Sequence, residues 1–261
     1  QNNFTGTQTV YFQITKSLAN EDIKVELSSE ELVYDGTAKA PSSIVVKDGN
    51  TELKEGTDYT VSYSNNTDAG LATVTVTGKG NYTGTTSTTF TINPQTVTNA
   101  TVTIAEGTYT YNENEHKPDV TVTLGEKQFA GTDYDVSYSD NIDAGEATAT
   151  VTFKGNYSGS ATGTFKIDKA TLQNVETEKN VNVRYGVTTA QTFSDWGLPT
   201  DVAFNAKIGD DDVADEKKIL NGAILNGTTL SVTLNDTTPT NVGDTATIPV
   251  TFSSTNYNDV T

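Results

Sequence analysis

Along much of the chain every second side chain is apolar. Tyr59, Val61 and Tyr63 alternate with Thr60, Ser62 and Ser64; Ala72, Val74 and Val76 alternate with Thr73, Thr75 and Thr77; Thr88, Phe90 and Ile92 finish the run. A period of two sends successive side chains to opposite faces of a pleated strand, so these segments predict half-buried β-strands with one apolar and one hydroxyl-rich face. Turn residues punctuate them: Asp35-Gly36, Asp48-Gly49, Glu55-Gly56, Ala69-Gly70 and Gly78-Lys79-Gly80-Asn81 supply residues that tolerate positive φ or bond to their own backbone. No stretch carries a helical stripe. Short strands at roughly 8 to 12 residue spacing predict an all-β sandwich.

The pattern repeats. Asp58 to Gly70 (DYTVSYSNNTDAG) and Asp133 to Gly145 (DYDVSYSDNIDAG) lie 75 residues apart and agree at ten of thirteen positions. Gly80 to Ile92 matches Gly155 to Ile167 at the same offset, whereas Val33 to Val46 matches Thr110 to Thr123 at an offset of 77. The intervening loop has therefore lost two residues. Asn3 to Ile14 (NFTGTQTVYFQI) aligns with Asn81 to Ile92 (NYTGTTSTTFTI), and Thr255 to Thr261 resembles the GNYTGTT step. The division this implies is a remnant of a preceding repeat at 1–17, units at 18–93 and 94–168, and a divergent third unit at 169–261 that lacks its last strand. The linkers after Ile92 and Ile167 are too short for flexible tethers, so adjacent units are expected to meet with limited bending.

Composition refines this picture. Thr supplies 49 of the 261 residues, and a β-branched but polar side chain suits the solvated face of a sheet. The net charge is -18, from 34 acidic and 16 basic side chains, which argues against nucleic acid and anionic membrane surfaces as partners, since both call for clustered Lys and Arg. No apolar run approaches a membrane span, so no direct membrane insertion is expected. The chain has no Cys and one His, His116, which removes disulfides, thiolate chemistry and His-rich metal sites. A chain beginning at Gln1 reads as a mature segment or an excised fragment.

With YDGTAKAP (Tyr34 to Pro41), GTDYTVSYSNNTDAG (Gly56 to Gly70) and GKGNYTGTTSTTFTI (Gly78 to Ile92) in view, residues 1 to 168 resemble the MBG and YDG type immunoglobulin-like repeats of large bacterial, chiefly Gram-positive, cell-surface proteins. The third unit is similar to the companion type with a YG motif, here Tyr185-Gly186, and a TFSDWGLP segment, Thr192 to Pro199. The resemblance implies tandem Ig-like β-sandwich units arranged end to end, with small β-grasp-like domains as the alternative. It also implies an extracellular, cell-surface location and a role in spacing and display, and it carries no catalytic residues.

Candidate chemistry is sparse. Trp196 with Tyr185, Asp195 and Asp201 would suit a sugar, whose faces stack on planar side chains while carboxylates bond its hydroxyls; the competing reading packs the lone Trp in a core. Asp210, Asp211 and Asp212, with Asp215 and Glu216, would offer oxygens to calcium but have no recognised loop spacing, so solvated loop charge is the better reading. No other cofactor is expected. Asp58 and Asp133, each before a Tyr, read as turn caps. A Lys to Asn cross-link promoted by a carboxylate would recruit Lys79, Asn81 and Asp58, and again Lys154, Asn156 and Asp133, although a Gly-rich turn is a poor place to bury a lysine. Asn81-Tyr82-Thr83 and Asn156-Tyr157-Ser158 match the N-glycosylation pattern and read as turn residues in a bacterial protein.

The sequence thus leads to a non-enzymatic stalk or spacer, with possible adhesion, whose partners are neighbouring repeats and a host or plant glycan or surface protein. The alternative is a carbohydrate-binding region of a polysaccharide-degrading complex, with binding on the third unit. The Val10 to Ile14 strand without a parent unit, and a third unit without a closing strand, further suggest head-to-tail strand donation between molecules.

Overall fold

The computed structural model describes residues 6–173, 175, 191–193, 196–199, 202–208, 220–226, 229–234 and 250–261. They are all-β, with no helix among the described residues. The strands are β1 (Lys16–Ser17), β2 (Ile23–Leu27), β3 (Leu32–Val33), β4 (Ile44–Asp48), β5 (Thr51–Glu52), β6 (Tyr59–Ser64), β7 (Gly70–Gly78), β8 (Tyr82–Thr83) and β9 (Thr85–Asn93). The second repeat supplies β10 (Gln95–Thr96), β11 (Thr101–Ile104), β12 (Tyr109–Thr110), β13 (Val120–Leu124), β14 (Lys127–Gln128), β15 (Tyr134–Ser139), β16 (Gly145–Phe153), β17 (Tyr157–Ser158) and β18 (Ser160–Asp168). Farther on come β19 (Gln191–Phe193), β20 (Asn205–Ile208), β21 (Leu220–Asn226), β22 (Thr229–Leu234) and β23 (Val250–Ser253).

Each of the first two repeats builds the same three sheets. In the first these are β3-β9-β7-β6, β2-β4-β5 and the parallel pair β1-β8; in the second they are β12-β18-β16-β15, β11-β13-β14 and the parallel pair β10-β17. The alternation read from the sequence sets which face is inward: along β7, Ala72, Val74 and Val76 are buried, whereas Thr73 and Thr75 are only partly covered. Val74 and Val76 join Leu18, Val46, Leu53 and Tyr59 in a core onto which Ile23, Val25, Tyr82 and Phe90 pack. Lys16 and Ser17, which the sequence grouped with the preceding remnant, pair with Tyr82 and Thr83 of the first repeat.

The described chain falls into two compact units, and their boundary crosses the second sequence repeat. One draws on 1–102, 121–137 and 150–162; the other draws on 103–120, 138–149 and 163–261. In the second, Ala147, Phe165 and Ile167 form a core with Ile104, Tyr109, Tyr111 and Tyr138 against it.

The structure also corrects the alignment of the two repeats. Sequence matching at an offset of 77 pairs Val46 with Thr123, but the buried counterpart of Val46 is Val122. The carbonyls of Val46 and Val122 accept the N–H groups of Leu53 and Phe129 respectively. The two lost residues therefore leave one at a time, one before β13 and one before Gly131. A one-residue slip in a strand exchanges its faces, so burial decides the register.

A polar joint as the candidate functional site

The Gly-Asn-Tyr step begins with a turn. Lys79 and Lys154 donate their N–H groups to the carbonyls of Asp58 (2.8 Å) and Asp133 (2.9 Å), and Tyr82 and Tyr157 donate to the carbonyls of Lys79 (3.1 Å) and Lys154 (3.2 Å). Gly80 and Gly155 hold φ at 64° and 67°, values that suit a residue without a Cβ. The Asn carbonyl then accepts a backbone N–H from the linker: Lys16 to Asn81 at 2.9 Å, Gln95 to Asn156 at 2.9 Å and Ala170 to Asn256 at 2.8 Å. All three steps thus share the linker bond, while at the third Thr255 stands in place of the glycine and the Tyr257 N–H donates to the Ser254 hydroxyl at 3.0 Å.

The Asp-Ala-Gly loop is built just as regularly. Asn65 and Asp140 both hold φ at 55°, a left-handed conformation that Asn and Asp tolerate better than other side chains. The next residue clamps the loop to the segment after the Tyr-Asp-Gly turn. Asn66 exchanges bonds with Lys39 (Nδ2 to O 2.8 Å, N–H of Lys39 to O of Asn66 2.7 Å), and Asn141 does the same with His116 (2.9 and 2.8 Å). His116 is a structural residue here, its ring edge-on to Tyr109.

These two pieces meet. The Asn156 carboxamide accepts from the N–H of Ala69 at 2.7 Å and donates to Asp68 at 2.9 Å. One hundred residues later Asn256 accepts from the N–H of Ala144 at 2.8 Å and donates to Asp143 at 2.9 Å. A primary amide has both a donor and an acceptor, so one side chain satisfies a backbone N–H and a carboxylate together, and the bond to the ionised oxygen is the stronger kind. Aromatic rings close the contact: Tyr157 lies edge-on to Tyr34 at 5.5 Å and Tyr257 to Tyr111 at 5.4 Å. The Tyr34 phenol is raised above its ordinary value by its hydrogen bond with Tyr157, then by burial and by the charges of Asp68 and Asp133.

Behind Tyr157 stands a cluster of its own. Phe129 packs against it at 5.1 Å and against Phe153 at 4.8 Å, and the Lys127 ammonium sits 4.2 Å from the Tyr157 ring centre while donating to its hydroxyl. In the first repeat the counterparts of Phe129, Phe153 and Lys127 are Leu53, Gly78 and Thr51, and the hydroxyl of Tyr82 donates instead to Asp48 at 3.2 Å, which Lys16 holds at 2.6 Å. That bond to Lys16 lowers the Asp48 carboxyl below its usual range.

The other sequence candidates are placed as follows. Asp58 and Asp133 each accept a backbone N–H at 2.9 Å, from Lys54 and Ala130, in the turn-capping role. The exposed Lys79 donates to the carbonyl of Gly56 at 2.6 Å, and Lys154 pairs with Asp135; the Lys, Asn and Asp of the proposed cross-link thus each hold a separate contact, apart from Asn81. Trp196 is half-buried with its ring tilted on Phe252 at 5.4 Å. Tyr185, Asp195, Asp201, Asp210, Asp211, Asp212, Asp215 and Glu216 lie outside the described residues. Among the described residues no group of three or more His, Asp or Glu is arranged to hold a metal. Residues 6 to 15 carry no strand, and Val10, Tyr11, Phe12 and Ile14 are 80 to 92% exposed.

Sequence reasoning quoted both Asn-Tyr and Asp-Ala-Gly as repeat markers and missed that they bind each other. The available signal was their recurrence with polar side chains that no core requires. No curated protein and no solved structure matches the chain. Residues 100–171 match the family model of the MBG domain, so the second repeat carries the signature of the family that the repeats resemble.

Proposed function

We propose that the chain is a non-enzymatic stalk or spacer segment of an exported bacterial cell-surface protein, and that its working feature is the joint. The observation that supports this reading is the recurrence of one three-point contact, Asn to Ala and Asp with Tyr on Tyr, at Asn156 and again at Asn256. A contact made in the same way at successive steps suits a chain whose task is to hold its repeats in fixed relation. The MBG match at 100–171 supports a surface-protein repeat. The -18 charge keeps a long acidic array dissolved and mutually repelling.

Affinity electrophoresis on starch, xylan, cellulose and mucin glycans tests this reading. A spacer migrates without retardation on all four. Retention that disappears in Trp196→Ala would overturn it in favour of a carbohydrate-binding region on the third unit. The ring of Trp196 against Phe252 favours the first result.

A further inference from the structure

Three Asn-Tyr steps occur in the described residues, and only two of them are seated. Asn81-Tyr82 has the turn, the positive φ glycine and the parallel strand pair of Asn156-Tyr157, and the linker bond of both seated steps. Its carboxamide is exposed and has no partner among the described residues, whereas Asn156 and Asn256 are half-buried. Tyr82 is half-buried where Tyr157 is 7% exposed. The difference includes the ring that Tyr34 lays against Tyr157 and that nothing described lays against Tyr82.

We propose that Asn81-Tyr82 is a third docking face, and that its occupant is a repeat of this same type, seated by its Asp-Ala-Gly loop and the tyrosine of its Tyr-Asp-Gly turn. The chemistry is self-complementary in one direction only. The Asn amide asks for a carboxylate and a backbone N–H side by side, and the Asp68-Ala69 and Asp143-Ala144 loops show that this repeat supplies them. The approach path is also set. In the first repeat Gly70 of the loop lies opposite Ile92 at the end of β9, and Ile92 aligns with Ile14. Gln13, next to Ile14, already donates to the carbonyl of Gly80 at 2.9 Å. A repeat ending at Ile14 would therefore bring its Asp-Ala-Gly loop beside Asn81. This inference goes beyond the spacer reading and does not depend on where the protein resides.

The test is a chain in which a second copy of residues 15–92 replaces residues 1–14, with Thr15 onward unchanged, followed by amide hydrogen exchange. The alanine N–H of the added Asp-Ala-Gly loop is expected to be protected to the same degree as Ala69 in the same molecule. Asn81→Ala should speed its exchange at least tenfold and leave Ala69 unchanged, while Asn156→Ala should do the reverse. Exchange at the added loop that ignores Asn81→Ala overturns the proposal. So does an added copy whose β7 amides fail to become protected beside the identical copy that folds.

Discussion

Tyr82 and Tyr157 stand at the same step of two closely matched repeats, yet their surroundings have little in common. Tyr157 is gripped by Phe129 and Lys127 from its own repeat and by Tyr34 from the one before. Tyr82 relies on a surface ion pair, Lys16 with Asp48, for its hydroxyl and on the edge of the core for its ring. The backbone is reproduced in both, and the side-chain support is not. The difference teaches that the step is specified by its turn and linker bonds, which leaves each repeat free to brace the ring by different chemistry.

Truncating the two rings gives the largest test of that contrast. Tyr157→Ala removes a buried aromatic held between the rings of Tyr34 and Phe129 and under the Lys127 ammonium, a loss of about 3 to 5 kcal/mol by analogy with other large aromatic truncations; Tyr82→Ala should cost about half as much, read from urea midpoints. Equal losses would mean that the joint ring and the lysine add nothing beyond ordinary burial. Next in size, Asn156→Ala unpairs the Ala69 N–H and the Asp68 carboxylate together, for about 1 to 2 kcal/mol, whereas Asn81→Ala should stay within about 0.5 kcal/mol. Denaturant titration of the two variants in parallel checks both values, and a matching cost at Asn81 would erase the contrast.

The smallest effect is in acid. Asp48 has a folded carboxyl held low, chiefly by Lys16 and also by Tyr82, so its contribution is present above the unfolded carboxylate value of about 3.9 and is lost as pH falls through the lower folded value. The position corresponding to Asp48 in the second repeat is Leu124, which cannot titrate. NMR shifts of the Tyr82 ring should therefore move below about pH 4, those of Tyr157 should not move with them, and Asp48→Asn should flatten the Tyr82 profile.

Much of the fold was legible because alternation and turn residues are local. The strict polarity of β7 could be read directly, as could the glycine and Asp caps of the turns. What could not be read was long-range. Nothing near Asn156 in sequence marks Asp68 as its partner, 88 residues away, because a polar contact of two side chains leaves no periodic trace. The one-residue shift between Val46 and Val122 was hidden for a related reason: a short strand such as β13 fits two registers until the opposite face declares which valine is inside. The third unit shows the remaining limit, since Trp196 lies beside Phe252, a neighbour that its TFSDWGLP segment gives no hint of.

The joint also has a bearing on how the protein is made. Asn81 and Asn156 both begin Asn-X-Ser/Thr triplets, and a eukaryotic secretory host attaches its oligosaccharide to the very amide nitrogen that Asn156 turns toward Asp68. A glycan at Asn156 would place a sugar inside the contact, and one at Asn81 would cap an open face. Material produced in such a host would carry the same polypeptide with the Asn156 joint blocked and the Asn256 joint, whose Asn-Tyr-Asn triplet takes no glycan, left open to form, so the choice of expression system decides which joints can close.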